Sequence, residues 1–444
     1  MPRLLHAAAF AAFCCLFTVG CTDAPDPAET AAAGPAASDE NPAGDADVDA
    51  ETVTVKPEQL VVAARNLLAA GRITDAAKAL TIAIKAKPTL TAAYVDRSAI
   101  LAQSGLFSKA IEDLDKAIEL LPGQAKLMNS RGYYRLQQKE YDAALEDFNA
   151  AVAADPAFAV ALNNRGLVRV ATGQLDAAIV DFDAAIQADA TYLDARNNRG
   201  FANTQLERYD DAEADFTSVL DQSPEYVNAW NNRGLARMRA GKLAEAVGDF
   251  SKSIELAPMN VKHYLHRSQA YEKLDRKPEA KADIERVVWL QNLVKASRKI
   301  AATPNTAGAY LDRARHLAVG GLTDQAMADV ERAAKLAPEA PEPVLVRGFV
   351  YYRAGQYPEA VAACDRSIAI SPTTGAYGLR GDAKNKIGDL DGAIADYQKA
   401  NRFDKDVADA YVRRAKRLRG EGKIEQASAD IEQAAMIDPT IKLQ

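Results

Sequence analysis

Apolar side chains recur at helical spacing through residues 57–439, and the whole pattern returns about every 34 residues. The plainest copy is Asn163-Asn164-Arg165-Gly166, followed 34 residues on by Asn197-Asn198-Arg199-Gly200 and 34 further by Asn231-Asn232-Arg233-Gly234. An alanine at block position 20 serves as the ruler: Ala76, Ala110, Ala144, Ala178, Ala212, Ala246, Ala280, Ala326, Ala360, Ala393 and Ala427, which makes eleven blocks. Position 8 is small in most of them (Gly132, Gly166, Gly200, Gly234, Gly348, Gly381). Position 24 is apolar, as at Leu114, Phe148, Phe182, Phe216, Phe250, Ile284, Val330, Cys364, Tyr397 and Ile431. Prolines such as Pro88, Pro156, Pro224 and Pro338 punctuate the block ends, where proline stops a helix. The pattern predicts two antiparallel helices per block, approaching closely wherever small residues face each other. A larger side chain there would overpack the contact. A fixed period of this kind builds an array whose neighbouring units share one continuous core.

Two interruptions stand out. Ala280 and Ala326 are 46 residues apart, and the stretch from Glu279 to Ala302 has no Gly or Pro. Its apolar run (Val287, Val288, Trp289, Leu290, Leu293, Val294) predicts a second helix lengthened by about three turns, roughly 18 Å, packing on the eighth block or serving as a joint. Ala360 and Ala393 are one residue too close, which predicts a shortened loop. The organisation expected is therefore a leader over 1–20, a tether over 21–56, blocks one to seven over 57–302, and blocks eight to eleven over 303–444.

Together the period, the small residues at positions 8 and 20 and the terminal prolines resemble the tetratricopeptide repeat family over 57–439. The resemblance implies an all-α fold, a right-handed superhelical solenoid of about eleven helical hairpins. It also implies that position 6 of each first helix points into a concave groove. Asn164, Asn198 and Asn232 occupy that position, with Asn163, Asn197 and Asn231 just before them. Such a row is similar to the asparagine ladder of the O-GlcNAc transferase repeat superhelix, which grips the backbone of an extended peptide. A carboxamide offers donors and an acceptor, so it can pair with any peptide backbone regardless of side chains. These six asparagines are the expected peptide-binding residues. The competing reading is a recent duplication that copied idle amides, and the row is short, since Ser130 and His266 take position 6 on either side. The Lys and Asn pair of the carboxylate clamp for acidic chaperone tails is missing from positions 5 and 9.

Arginine fills position 7 in ten blocks (Arg97, Arg131, Arg165, Arg199, Arg233, Arg267, Arg313, Arg347, Arg380, Arg414). Aspartate fills position 23 in nine (Asp113, Asp147, Asp181, Asp215, Asp249, Asp283, Asp329, Asp396, Asp430). The first block lacks both. We expect structural ion pairs such as Arg165 with Asp181, Arg199 with Asp215 and Arg233 with Asp249, rather than an open anion track.

The ends of the chain change the picture of where this array works. Met1-Pro2-Arg3 followed by the apolar run to Val19 reads as a secretory signal. Phe17-Thr18-Val19-Gly20-Cys21 resembles a lipoprotein lipobox, which implies lipidation of Cys21 and a membrane-anchored envelope lipoprotein with its repeats facing the periplasm or exterior. Between Cys21 and Lys56 stand nine acids and no base, a composition too polar to build a core. The formal charge of −7 argues against nucleic acid, whose binding rests on basic residues. Cys364 is the one cysteine in the body, so no intramolecular disulfide is expected there.

His263, His266 and His316 are the only candidates for a metal, and no nucleophile, base and oxyanion hole assemble in the pattern. We therefore expect neither enzyme, metal nor cofactor. The reading is a protein–protein interaction scaffold or adaptor, holding other proteins in its groove during assembly or secretion of envelope components. The alternative is a structural subunit joining through its ends and convex face, with a metal-dependent enzyme a distant third. The outward face of the last helix (Ile424, Ile431, Ala435) also points to a partner or a second copy, a homo-oligomer through the C-terminal repeat.

Overall fold

The computed structural model describes residues 55–441. The expected signal, Cys21 with its expected lipidation, and nearly all of the acidic tether lie outside the described residues. The described residues hold twenty-two α-helices and no strand, and no described helix is long and apolar enough to cross a membrane. The chain divides into two compact units at Ile284/Glu285. That division falls inside the longest helix, ahead of the boundary at residue 302 taken from the block pattern.

In the first unit, six hairpins pair α1 (Pro57–Ala69) with α2 (Ile73–Ala86), α3 (Thr91–Gln103) with α4 (Phe107–Leu120), α5 (Ala125–Gln137) with α6 (Tyr141–Ala154), α7 (Ala159–Ala171) with α8 (Leu175–Ala188), α9 (Leu193–Gln205) with α10 (Tyr209–Gln222) and α11 (Val227–Arg239) with α12 (Leu243–Leu256). Then come α13 (Val261–Lys273) and the start of α14 (Lys277–Ala302). The second unit holds the remainder of α14, then α15 (Ala307–Val319), α16 (Thr323–Leu336), α17 (Pro341–Arg353), α18 (Tyr357–Ile370), α19 (Thr374–Ile387), α20 (Leu390–Ala400), α21 (Lys405–Gly420) and α22 (Ile424–Ile437). Within each unit successive hairpins pack on one another, and successive first helices also touch, as α5 with α7 and α7 with α9. Only three residues, 371–373, link α18 to α19, against four between α8 and α9, so the missing residue is taken from a loop.

At position 15 every hairpin turns through a left-handed backbone conformation. Glycine takes it at eight positions, including Gly173 (φ 78°) and Gly241 (φ 82°), while Lys139, Glu207 and Asp275 take it with φ of 62°, 61° and 56°. A side chain there costs conformational energy that glycine avoids.

The core of a hairpin is set by positions 8, 20 and 24. The position-20 alanines are fully or almost fully buried. Phe148, Phe182, Phe216 and Phe250 are 0% exposed, and each lies against the position-8 glycine of its own hairpin. A Cβ added to Gly166 would stand 2.5 Å from Phe182 Cε1, and one on Gly234 2.6 Å from Phe250 Cε1. Where position 24 is aliphatic, position 8 can be larger: Ala64 accompanies Leu80, and Ser98 accompanies Leu114. Size is traded across this contact at constant volume, as close packing requires.

The lengthened helix packs rather than projecting. Trp289 Nε1 donates to His316 O at 3.0 Å, and the indole stacks on the His316 ring at 6.4 Å with 5° between planes. Gly320 makes room for it, since a Cβ there would stand 2.0 Å from Trp289 Cζ2. Leu290 and Leu293 are buried beside it. The three added turns thus seal the second unit's first hairpin.

Candidate peptide-binding face

Nine of the ten arginines of position 7 meet the aspartate of position 23 within their own hairpin. Arg165 Nη2 donates to Asp181 Oδ1 at 2.6 Å, Arg233 Nη2 to Asp249 Oδ1 at 2.8 Å, and Arg199 Nη2 to Asp215 Oδ1. Six more hairpins repeat the pair: Arg97–Asp113, Arg131–Asp147, Arg267–Asp283, Arg313–Asp329, Arg380–Asp396 and Arg414–Asp430. In the first unit the free Nη1 also reaches position 25 of the preceding hairpin: Arg131 to Asp115 at 2.6 Å, Arg165 to Asn149 at 3.1 Å, Arg233 to Thr217 at 3.0 Å. One guanidinium therefore joins three helices, a use of its planar fork that fixes geometry more than it adds stability.

Position 11 decides how well the buried carboxylate is satisfied. Arg169 adds a second cation to Asp181 at 2.7 Å and Arg237 to Asp249 at 2.8 Å. Asn203 occupies that place near Asp215, 3.5 Å away. Burial accordingly pushes the Asp215 carboxyl up, with Arg199 offsetting only part of the effect. At Asp396 burial acts the same way, but hydrogen bonds from Arg380 and Lys384 outweigh it and hold the group below its ordinary range. Arg347 of the ninth hairpin is the exception. Its partner position is Ala363, and among the described residues it has neither hydrogen bond nor ion pair.

The asparagines are not an open row. Asn163, Asn164, Asn197, Asn198 and Asn231 are 1, 6, 2, 1 and 8% exposed, and only Asn232 is half-buried. Their amides bond to one another across hairpins. Asn164 Nδ2 donates to Asn129 Oδ1 at 3.0 Å, Asn198 Nδ2 to Asn163 Oδ1 at 2.9 Å, and Asn232 Nδ2 to Asn197 Oδ1 at 3.2 Å. His266 Nδ1 continues the series, 2.8 Å from Asn231 Oδ1. Position 6 of one repeat thus donates to position 5 of the repeat before it, four times in succession. The expectation of six groove amides is narrowed to Asn232, because a buried side chain cannot flank a peptide. Asn198 Oδ1 is buried without a partner. Asn129 and His266 belong to the rungs but lack the Asn-Asn signature. A search for polar residues 35 apart would have found both.

A shallow recess opens on this face, lined by Phe201, Thr204 and Gln205 of α9 and Asn232, Leu235 and Arg239 of α11. Phe201 and Leu235 give it apolar walls, and Asn232 adds an amide. Arg239 is exposed and donates from Nη1 to Thr204 O at 3.4 Å. Its contents suit an apolar side chain beside a backbone carbonyl or carboxylate. Burial, with smaller contributions from His263, Lys262 and Arg239, pulls the neighbouring His266 down to about 4. It is neutral at pH 7, in the tautomer that carries its proton on Nδ1 facing the Asn231 amide oxygen. His316 is taken up by Trp289, and no group of three or more metal-ligating side chains occurs among the described residues. Burial pushes the Cys364 thiol up to about 12, so it stays protonated and packs as a small apolar group.

Stacked helical hairpins, bolted within and between repeats, define an α-solenoid, a class whose curvature creates extended binding surfaces. A family model described as "Tetratricopeptide repeat" matches residues 61–125, 129–192, 205–260 and 311–374, and a second of the same description matches 374–407. The chain belongs to the tetratricopeptide repeat family, whose repeats support a role as a protein–protein interaction scaffold. Among solved structures it is similar to a tetratricopeptide repeat protein from Parabacteroides merdae, with 19% identity over 56% of this chain and 99% of that one and a TM-score of 0.47. Pseudomonas aeruginosa pilF is 15% identical over 49% and 97% of the two chains, TM-score 0.43. YrrB, described as a TPR protein with an unusual peptide-binding site, is 23% identical over 41% and 94%, TM-score 0.35. No curated protein sequence matches the chain significantly.

Proposed function

We propose that this protein is an adaptor of the cell envelope, tethered to a membrane through lipidated Cys21. It would hold extended segments of other proteins, in assembly or secretion of envelope components, along the first-helix face of repeats three to seven. The observation that carries this reading is the recess on α9 and α11. Apolar walls, a half-exposed amide and a cation converge there, on helices that the amide rungs hold in register. Pre-positioned groups of this kind lower the ordering cost of binding.

A photoreactive side chain at position 235 should crosslink to envelope proteins in cells, while one at Val180, 64% exposed on α8, should not. Leu235→Glu should abolish capture while the helical circular dichroism is kept, with a lower melting temperature because Leu235 also packs against Met238, Ala246 and Phe250. Equal crosslinking at both positions, or undiminished capture by Leu235→Glu, would refute the binding face. Release of the protein from membranes by Cys21→Ser tests the tether separately. A structural subunit is the second reading, favoured by Ile424 and Met436, 57% and 68% exposed on α22. It requires self-association that Met436→Glu disrupts.

A further inference from the structure

The corresponding face of the second unit carries a different chemistry. Positions 6, 9, 12 and 13, which line the recess in the first unit, hold Arg353 on α17, Lys386 on α19, and Arg413, Lys416 and Arg419 on α21. All five are exposed, and Arg413 keeps 43% of its side-chain surface open. The helices that bear them are tied together: Arg413 Nη1 donates to Asn385 Oδ1 at 2.6 Å and to Asn385 O at 3.1 Å. The acids on the same positions are already engaged. Asp382 accepts from Arg402 at 2.7 Å and from the Tyr397 hydroxyl at 3.0 Å, and Asp312 accepts from Lys299 at 2.7 Å; Asp409, at position 2, lies 3.9 Å from Arg413. Lys386 and Lys416 have no ion-pair partner among the described residues. Compensation of helix dipoles accounts for a cation in the last turn of each helix, as with Arg353, Lys386 and Arg419. It does not account for Arg413 and Lys416, which stand before the last turn of α21.

We propose that this face docks an extended acidic segment of a partner protein. Charge complementarity is the ground for it. Residues 285–441 hold 23 basic and 21 acidic residues, so the positive charge is a property of this face and not of the unit. Packed helices lie about 8–10 Å apart, roughly three residues of extended chain. A segment with an acid at every third residue therefore meets α17, α19 and α21 in turn. Half-buried Phe349 and Tyr352 on α17 offer apolar surface to the residues between. Nucleic acid needs a broad basic footprint, which a near-balanced unit in a chain of pI about 5.4 does not provide.

The test is fluorescence anisotropy with the full chain and a labelled twelve-residue peptide carrying Asp or Glu at every third position. Lys386→Glu/Lys416→Glu should weaken binding by roughly tenfold or more and flatten its salt dependence. The charge-matched control Lys335→Glu/Arg366→Glu, on exposed positions of the second helices, should bind as the parent does. Equal loss in both double variants would show a response to net charge alone and overturn the proposal. So would absence of binding at low salt, or tighter binding of single-stranded DNA than of the peptide. Zero-length crosslinks between Lys416 and Asp45 or Asp47 of the same molecule would make the chain's own tether the occupant and would equally overturn a partner.

Discussion

The contact between position 8 and position 24 makes a prediction whose sign differs between two glycines of the same protein. Alanine is normally the better helix residue by about 0.8–1.0 kcal/mol. Gly248 in α12 is exposed and a Cβ there would meet nothing within 4 Å, so Gly248→Ala should stabilise by about that amount. Gly166→Ala brings the same gain in propensity, but its Cβ would stand 2.5, 2.9 and 2.9 Å from three atoms of the Phe182 ring. Phe182 is 0% exposed and cannot swing aside into water. Overpacking of this kind costs about 1–3 kcal/mol, enough to cancel or reverse the gain. The two alanines should therefore differ by about 1–3 kcal/mol. Phe182→Leu alone opens a cavity and should cost about 1 kcal/mol or more. Combined with Gly166→Ala it recreates the Ala64/Leu80 arrangement of the first hairpin, so the double variant should be more stable than the two singles predict. Urea unfolding followed by circular dichroism measures all four variants. Because a long array need not unfold in one step, hydrogen exchange across α7 and α8 should localise the change. A Gly166→Ala variant as stable as Gly248→Ala, with Phe182→Leu strictly additive to it, would show that the ring and the glycine do not constrain each other.

Other variants probe the electrostatics and the turns. Ala363→Asp gives Arg347 the carboxylate its nine counterparts have, and should raise stability by about 1 kcal/mol; no change in urea midpoint, or a loss, would show that the ninth hairpin has closed over that site. His266 is held to about 4 in the folded protein against about 6.5 unfolded. Between those values only the unfolded chain takes up the proton, so stability falls as pH drops from 6.5 to 4, by up to about 3 kcal/mol. His266→Asn keeps a side chain able to donate to Asn231 Oδ1 and should remove that part of the pH dependence while leaving stability at pH 7.5 nearly unchanged. Glu207→Gly relieves a left-handed non-glycine turn and should stabilise by about 0.5–1 kcal/mol, read as a higher melting temperature; a lower one would mean that the Glu207 side chain makes contacts worth more than the strain.

The hairpins were legible in the sequence because their determinants are local. Alanine at position 20, the small residue at position 8 and the aspartate sixteen residues after each arginine all act within one repeat, and one repeat can be read by inspection. The amide rungs were not legible, because they depend on the stagger between neighbouring repeats. A shift that places position 6 beside position 5 of the previous repeat, rather than beside its own column, turned a supposed groove lining into an internal fastening. Asn129 escaped notice because Ser130 follows it, so the doubled asparagine that marked the other rungs is missing there. The second unit's basic face was hidden by averaging, since a formal charge of −7 over the chain is drawn chiefly from the acidic stretch before residue 55.

The rungs run from Asn129 to His266 and cease there. Among the first three hairpins the bonds between neighbours come from long side chains, such as Gln138 to Ser108, which tolerate small slides. Four directional links in line, three between amides and one from an imidazole to an amide, do not, so α5 to α13 should flex as a plank while the hairpins before it bend like beads. A chain lying along that plank would feel fixed intervals, and its own spacing of side chains, more than their identity, would decide whether it fits.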